Sequence, residues 1–324
     1  MTEKTSWIIE VSHQGQDYYG ECGLLAGLSI DDREGYRSVL AESLVAFEND
    51  ALDLGSLHDW PSIRCGWEML LNCLENEDPS MVYSSEFRKG RPIPINGLIW
   101  MADAASMQSQ IEARLEDGFD CIKMKIGAID VEKELALLKS LRKRFDSSQI
   151  EIRVDANGAF SPKEAAELLP RLADLEIHSI EQPIARGQWD EMARLCQEGV
   201  LPIALDEELI GITDPTHQAR MVQHISPQYL ILKPSLIGGF QVADRWIELA
   251  ESIDAGWWAT SALESNIGLN AIAQWCGTKD LVLPQGLGTG SLYLNNIPSP
   301  LSVKHGQIAY DRSQVWDYSP LHDR

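Results

Sequence analysis

At 324 residues, 44% hydrophobic and 23% charged, the chain has the make-up of a folded globular protein with room for a barrel-sized domain and a smaller companion. Its 27 Lys and Arg against 49 Asp and Glu leave a net charge of −22. This excludes nucleic acid and anionic membrane as natural partners, and a small anionic carboxylate can bind only where lysine or a metal ion gathers. No apolar stretch approaches the roughly 20 residues of a bilayer span. Met1-Thr2-Glu3-Lys4 opens no signal segment, and Cys22, Cys65, Cys73, Cys121, Cys196 and Cys276 have no CxxC spacing. Together these predict a cytoplasmic, reducing setting with no obligate protein partner.

Residues 1–90 predict a small α+β capping unit: a strand at 7–11, a turn-rich stretch at 15–27, and helices over 31–50 and 61–77. The turn-rich stretch, with Gly20, Gly23, Tyr18 and Tyr19, suits a mobile loop; an ordinary hairpin connection is an equally weighted reading. From 91 to 290, short apolar runs alternate with amphipathic helical patterns, as in successive βα units. Strands are expected at 95–100, 121–126, 151–155, 178–181, 203–206, 229–233, 257–261 and 281–284. Helical patterns follow the first seven only, for example 131–145, 162–175 and 242–253. That count favours an α/β architecture of the (β/α)7β type, a modified TIM barrel with an N-terminal α+β capping domain, over an open doubly wound sheet. Residues 291–324 are expected to pack back on the cap.

The C-terminal ends of those strands carry Lys123 and Lys125, then Asp155, Glu181, Asp206 and Lys233. From Lys125 onward they are spaced 25 to 30 residues apart, one βα unit each. Consecutive strands therefore deliver them to one mouth, where parallel barrels place their chemistry. A single Asp at a strand end reads first as a helix N-cap. Three carboxylates in succession repel one another in a partly desolvated mouth, and a hard divalent cation relieves that repulsion. Mg²⁺ suits oxygen donors and leaves positions open for a substrate carboxylate, with Mn²⁺ as a possible substitute. Lys123 and Lys125, two apart on one strand, share a face, and that face is the interior. Burial near a cation lowers a lysine pKa, which suits Lys125 to act as a base. Lys233 lies across the barrel.

At these residues the chain resembles the enolase superfamily in its muconate lactonizing enzyme-like subgroup. The resemblance is carried by Lys123-Met124-Lys125, Asp155-Ala156-Asn157, Glu181-Gln182-Pro183, Asp206-Glu207 and the K-P-x-x-x-G-G run from Lys233 to Gly239. Within it, Ile95-Asn96-Gly97-Leu98-Ile99-Trp100, Gly20-Glu21-Cys22 and Thr260-Ser261-Ala262-Leu263-Glu264-Ser265 are similar to the o-succinylbenzoate synthase family. The resemblance implies Asp155, Glu181 and Asp206 as Mg²⁺ ligands, Lys125 as the base, Lys233 as the opposing lysine, Lys123 in electrostatic support and Asn157 behind them. It implies syn dehydration of 2-succinyl-6-hydroxy-2,4-cyclohexadiene-1-carboxylate in menaquinone biosynthesis. Ser261, Ala262, Gly286 and Gly288 would then line the pocket, and the stretch 15–27 would close over it. It also implies a further N-terminal strand ahead of residues 5–11, which this chain does not supply.

Two lysines facing an enolate also suit a racemase or epimerase. Dipeptide epimerases of the subgroup resemble one another in an acidic D-x-D on the eighth strand. Here that place reads Pro284-Gln285-Gly286-Leu287-Gly288. An N-succinylamino acid racemase has no such marker and stays open as an alternative, as does, less strongly, a non-catalytic barrel that only binds a ligand. Glu207 and Glu21 read equally as supporting or solvated residues.

Overall fold

The computed structural model describes residues 3–290 and 292–322. Met1, Thr2, Ser291, Asp323 and Arg324, at the ends of the expected capping and C-terminal segments, lie outside the described residues. The chain opens with an antiparallel hairpin of β1 (Trp7–His13) and β2 (Gln16–Cys22). It turns at Gln14 and Gly15, both at positive φ. Helices α1 (Tyr36–Glu48) and α2 (Pro61–Glu75) follow, the second begun by a proline whose fixed φ suits a first helical turn.

The stretch 15–27 is therefore not one mobile loop. Much of it is β2, and Tyr18 to Cys22 are all buried. One cause is α2, which approaches so closely that a Cβ on Gly20 would strike the Gly66 carbonyl and one on Gly66 would strike Cys22 Sγ. The other is the C-terminal segment, where Tyr318 stacks on Tyr19 at 4.4 Å and Trp316 and Leu321 join the same apolar cluster.

After β3 (Ile93–Pro94) comes the barrel. Its strands are β4 (Gly97–Ile99), β5 (Cys121–Lys125), β6 (Glu151–Asp155), β7 (Ser179–Glu181), β8 (Ile203–Leu205), β9 (Tyr229–Leu232) and β10 (Gly256–Ala259). They form one parallel sheet in sequential order. The helices between them are α3 (Ala104–Glu116), α4 (Val131–Arg144), α5 (Pro162–Ala173), α6 (Trp189–Glu198), α7 (Pro215–Ile225), the short α8 (Pro234–Ile237) and α9 (Phe240–Glu251), with α10 (Asn266–Cys276) after β10. Their starts obey local chemistry: Asp103, Asp130, Ser161, Asp214 and Ser265 each accept a backbone N–H of the first turn. Helices cover the outer face, so strands such as Tyr229–Leu232 are apolar without alternation.

The eighth strand expected at 281–284 is not a ladder strand. Val282 is 92% exposed, and Pro284 has no N–H to offer. Closure falls one residue later, where Gln285 bridges Ile95 and Gly286 bridges Thr260 in parallel. Arg153, buried two residues below Asp155, holds the approach by donating to the Pro284 carbonyl at 2.9 Å while stacking on Trp258 at 4.1 Å. The chain ends with β11 (Leu301–Lys304) and β12 (Gln307–Tyr310), a hairpin that takes β3 as its third strand. No helix among the described residues is long and apolar enough to cross a membrane.

Two carboxylates of the N-terminal domain reach helix N-termini of the barrel. Glu21 on β2 accepts from Ser265 N (2.9 Å), Ser265 Oγ (2.6 Å) and Gly268 N (2.9 Å) at the start of α10. Glu68 on α2 accepts from Phe240 N and, at 3.4 Å, Gln241 N at the start of α9. First-turn N–H groups lack intrahelical partners and carry the positive end of the helix, so buried carboxylates satisfy both needs. Gly239, at φ 97°, makes room, since a Cβ there would collide with the Glu68 carboxylate.

Burial pushes the Glu68 carboxyl from its ordinary 4.5 up to about 7, with the Phe240 N–H pulling the other way. A pKa raised by folding stabilises the fold fully below the unfolded pKa and loses that contribution as pH rises through the folded one. Wild type should therefore gain about 3 kcal/mol relative to Glu68→Gln between pH 8 and pH 4.5. Urea unfolding of both proteins across that range measures this, and a pH-independent difference would refute it.

Candidate active site

Strand register brings the charged residues into layers. Lys125 pairs with Asp155 and Asp155 with Glu181, so β5, β6 and β7 present three ionisable groups side by side. Lys123 lies one layer deeper opposite Arg153. Asp206 and Lys233 follow directly on β8 and β9. All are buried except the tip of Lys125: side-chain exposure is 5% for Lys123, 10% for Lys233 and 15% for Lys125, with the three carboxylates at 2% or less.

Three ammonium groups neutralise three carboxylates here. Lys123 Nζ lies 2.8 Å from Asp155 Oδ2 and donates to Glu181 Oε2. Lys125 Nζ donates to Asp155 Oδ2 at 2.6 Å and to Asn157 Oδ1 at 2.6 Å. Lys233 donates to Asp206 Oδ2. Burial opposes ionisation of Asp155, but Lys123, Lys125 and Lys233 hold its carboxyl well below the usual range. Burial, with Asp155 alongside, pushes Glu181 up to about 8, and burial raises Asp206 as well. At Lys123 and Lys233 burial pulls the pKa down, but the adjacent carboxylates outweigh it and raise both.

Supporting residues set the carboxylate-bearing backbone. Asn157 and Gln182, just past Asp155 and Glu181, sit at φ 45° and 38°, turning the chain sharply where β6 and β7 end. The Gln182 side chain accepts from Asp206 N and Glu208 N, both at 3.2 Å, and donates to Glu208 Oε2 at 3.1 Å. The loop carrying Asp206 is thereby tied to the end of β7. Asn157 donates to Glu207 Oε1 at 2.8 Å, which turns its amide oxygen toward Lys125.

Among the described residues no three His, Cys, Asp or Glu side chains converge, as they stand, into a ready-made metal cage, because lysine nitrogens lie between the carboxylates. The donor set nevertheless fits a hard divalent cation. It consists of carboxylate oxygens from three adjacent strands, Glu181 Oε1 is buried with no hydrogen-bond partner, and burial together with the neighbouring Asp155 raises Glu181.

Above the cluster lies a cavity of about 210 Å³. Lys123, Lys125 and Lys233 line it, as do Ser261, Ala262, Gly286 and Gly288, all expected from the sequence. The Ser261 hydroxyl is already engaged, donating to the buried Glu264 at 2.6 Å and accepting from Thr289 Oγ1 at 2.9 Å. Leu25 and Leu28, from the segment after β2, form part of the wall, so the covering portion of the N-terminal domain begins only past Cys22. Sequence reading had assigned no role to Asn96, Leu98, Trp100, Thr260, Glu207 or Thr289 in this wall. Alternation along β4, which puts 96, 98 and 100 on one face, was the available signal.

Comparisons with known proteins agree with this architecture. The family model described as Enolase C-terminal domain-like matches residues 106–313. The chain is 46% identical to the o-succinylbenzoate synthase of Desulfotalea psychrophila, over 95% of this chain and 92% of that one. The crystal structure of MenC from Desulfotalea psychrophila LSv54 superposes with a TM-score of 0.80 at 45% identity, covering 94% of each chain. Muconate lactonizing enzyme from Pseudomonas putida shares the fold, with a TM-score of 0.77 at 20% identity over 95% of this chain and 93% of that one. The chain belongs to the enolase superfamily, in the o-succinylbenzoate synthase family.

Proposed function

We propose that this chain is a lyase, an o-succinylbenzoate synthase that dehydrates 2-succinyl-6-hydroxy-2,4-cyclohexadiene-1-carboxylate in menaquinone biosynthesis. The observation that carries the reading is the row of Asp155, Glu181 and Asp206 flanked by Lys125 on one side and Lys233 on the other, in a chain so similar to a named synthase. Asp155, Glu181 and Asp206 are proposed to hold a divalent cation, Mg²⁺ by preference for oxygen donors with Mn²⁺ as a substitute. When bound, that cation supplies positive charge opposite the substrate carboxylate as negative charge builds on it.

The chain's own residues account for the proton movements. Lys125 is the most exposed of the three lysines and faces the cavity, so in its neutral amine form it takes the proton from the carbon bearing the carboxylate. The electron pair left behind forms the new ring double bond as the C–O bond breaks, and Lys125 returns its proton to the departing hydroxyl. Water leaves and no electrons are transferred to a co-reactant. Asn157, its amide set by Glu207, keeps the Lys125 nitrogen aimed at one place through both transfers. Lys123 and Lys233, held protonated by their carboxylates, contribute fixed positive charge, Lys123 beneath the carboxylate where negative charge builds and Lys233 over the ring. All six cysteines are buried and unpaired as thiols, which suits the proposed cytoplasmic setting.

Incubation with Mg²⁺ and the cyclohexadiene carboxylate should remove the diene absorbance and yield o-succinylbenzoate, EDTA should stop it and Mn²⁺ should restore part of it. A folded, Mg²⁺-binding protein that leaves the diene intact would move the assignment to racemisation of N-succinylamino acids. Lys125→Ala should lower turnover by about a thousandfold or more while Mg²⁺ affinity, measured by calorimetry, stays within a few-fold. Wild-type turnover in that variant would remove Lys125 from its role.

A further inference from the structure

The cavity is chemically two-sided. One side, from β5 to β9, holds the carboxylates and lysines. The other, built by β4, the residues after β10 and the closing segment, is made of Leu98, Ala262, Gly286 and Gly288 with little polarity. Asn96, Thr260, Ser261 and Thr289 interrupt it, and the first two hold buried atoms without a partner. Asn96 is only 4% exposed, and its Oδ1 is buried with no hydrogen-bond partner; Thr260 Oγ1 is likewise buried and unpartnered. Leaving a buried polar atom unpaired costs more than a typical hydrogen bond contributes, so such atoms mark places where something else completes them. Asn96 is also inward-facing by register: it lies two residues before Leu98, which pairs with Lys123. Among the described residues no hydrogen bond fixes its side-chain amide, so the amide can turn its N–H toward an acceptor in the cavity.

We infer that Asn96 and Thr260 are specificity residues that hydrogen-bond the oxygens of the substrate's succinyl arm. This rests on the functional reading above. A substrate whose ring carboxylate meets the Asp155, Glu181 and Asp206 side must direct the rest of its length toward the opposite wall. The arm brings a ketone and a carboxylate into a wall where, among the described residues, these two side chains hold the buried polar atoms that lack a partner. Space continues beyond them: a second cavity of about 460 Å³ shares Asn96, Leu98, Trp100, Gly288 and Thr289 with the first. Lys304 on the β11–β12 hairpin lines that second cavity. Ser261, nominated from the sequence for this wall, is less suited, because Glu264 and Thr289 already occupy its hydroxyl.

The test compares two ligands of the Mg²⁺-loaded protein by calorimetry or competition: o-succinylbenzoate, and a benzoate bearing an unoxygenated alkyl arm of the same carbon length. Asn96→Ala should weaken o-succinylbenzoate by about tenfold, the scale of one lost hydrogen bond in a dry site, and leave the alkyl analogue within about twofold. Thr260→Val, which keeps the side-chain shape, should show the same selectivity at smaller size, and thermal melting checks that both variants fold. Equal weakening of both ligands, or none in either variant, overturns the assignment and leaves the unpaired atoms to water. If the wild type binds neither ligand, the functional reading fails and this assignment with it.

Discussion

Three carboxylates and three lysines buried at the ends of five consecutive strands govern this structure. Charges of one sign cannot share a desolvated mouth, and here one oxygen of each carboxylate is met by an ammonium nitrogen. Such a cluster is a poor source of stability, since removing ions from water costs as much as their attraction returns, and well-packed apolar residues would serve a barrel better. On the proposed function its value is chemical: a divalent cation would neutralise the same carboxylates, leaving Lys125 beside Asn157 and the cavity.

The surrounding polar residues are arranged to make that cluster rigid. Asn157 and Gln182 turn the backbone at positive φ immediately past the carboxylates. Gln182 then grips the Asp206 loop, and Glu208 behind it accepts from Gly187 N and Trp189 Nε1, both at 2.8 Å. Each of these contacts joins one βα unit to the next, so the site is positioned by neighbouring strands together and not by any loop alone.

The N-terminal domain is joined to the barrel by the same kind of interaction at larger scale. Glu21 and Glu68 satisfy orphan N–H groups of α10 and α9, the helices that follow and precede β10. The segment after β2 thereby comes to rest with Leu25 and Leu28 over the cavity. Docking, capping and the covering of the cavity share one set of contacts, which links the stability of the domain interface to the shape of the cavity.

The charged site was legible in the sequence because a parallel barrel delivers one strand end per βα unit. Lys123, Lys125, Asp155, Glu181, Asp206 and Lys233 announce themselves by residue type at that repeat, and apolar runs mark most of the strands. Features that depend on what lies across the molecule were not legible. Whether 281–284 or 285–286 closes the barrel depends on register with Ile95 and Thr260. The glycine-rich 15–27 stretch became largely a strand because α2 and Tyr318 bury it from both sides. The need for Gly239 came from Glu68, more than 170 residues away, and the unpaired Asn96 Oδ1 only from the lack, among the described residues, of a neighbour that completes it. The sequence by itself determined which chemical groups each strand carries to the mouth, since that follows from local periodicity; only the tertiary structure decided which of them are paired, covered or left open, since pairing depends on distances between residues that the chain does not hold close.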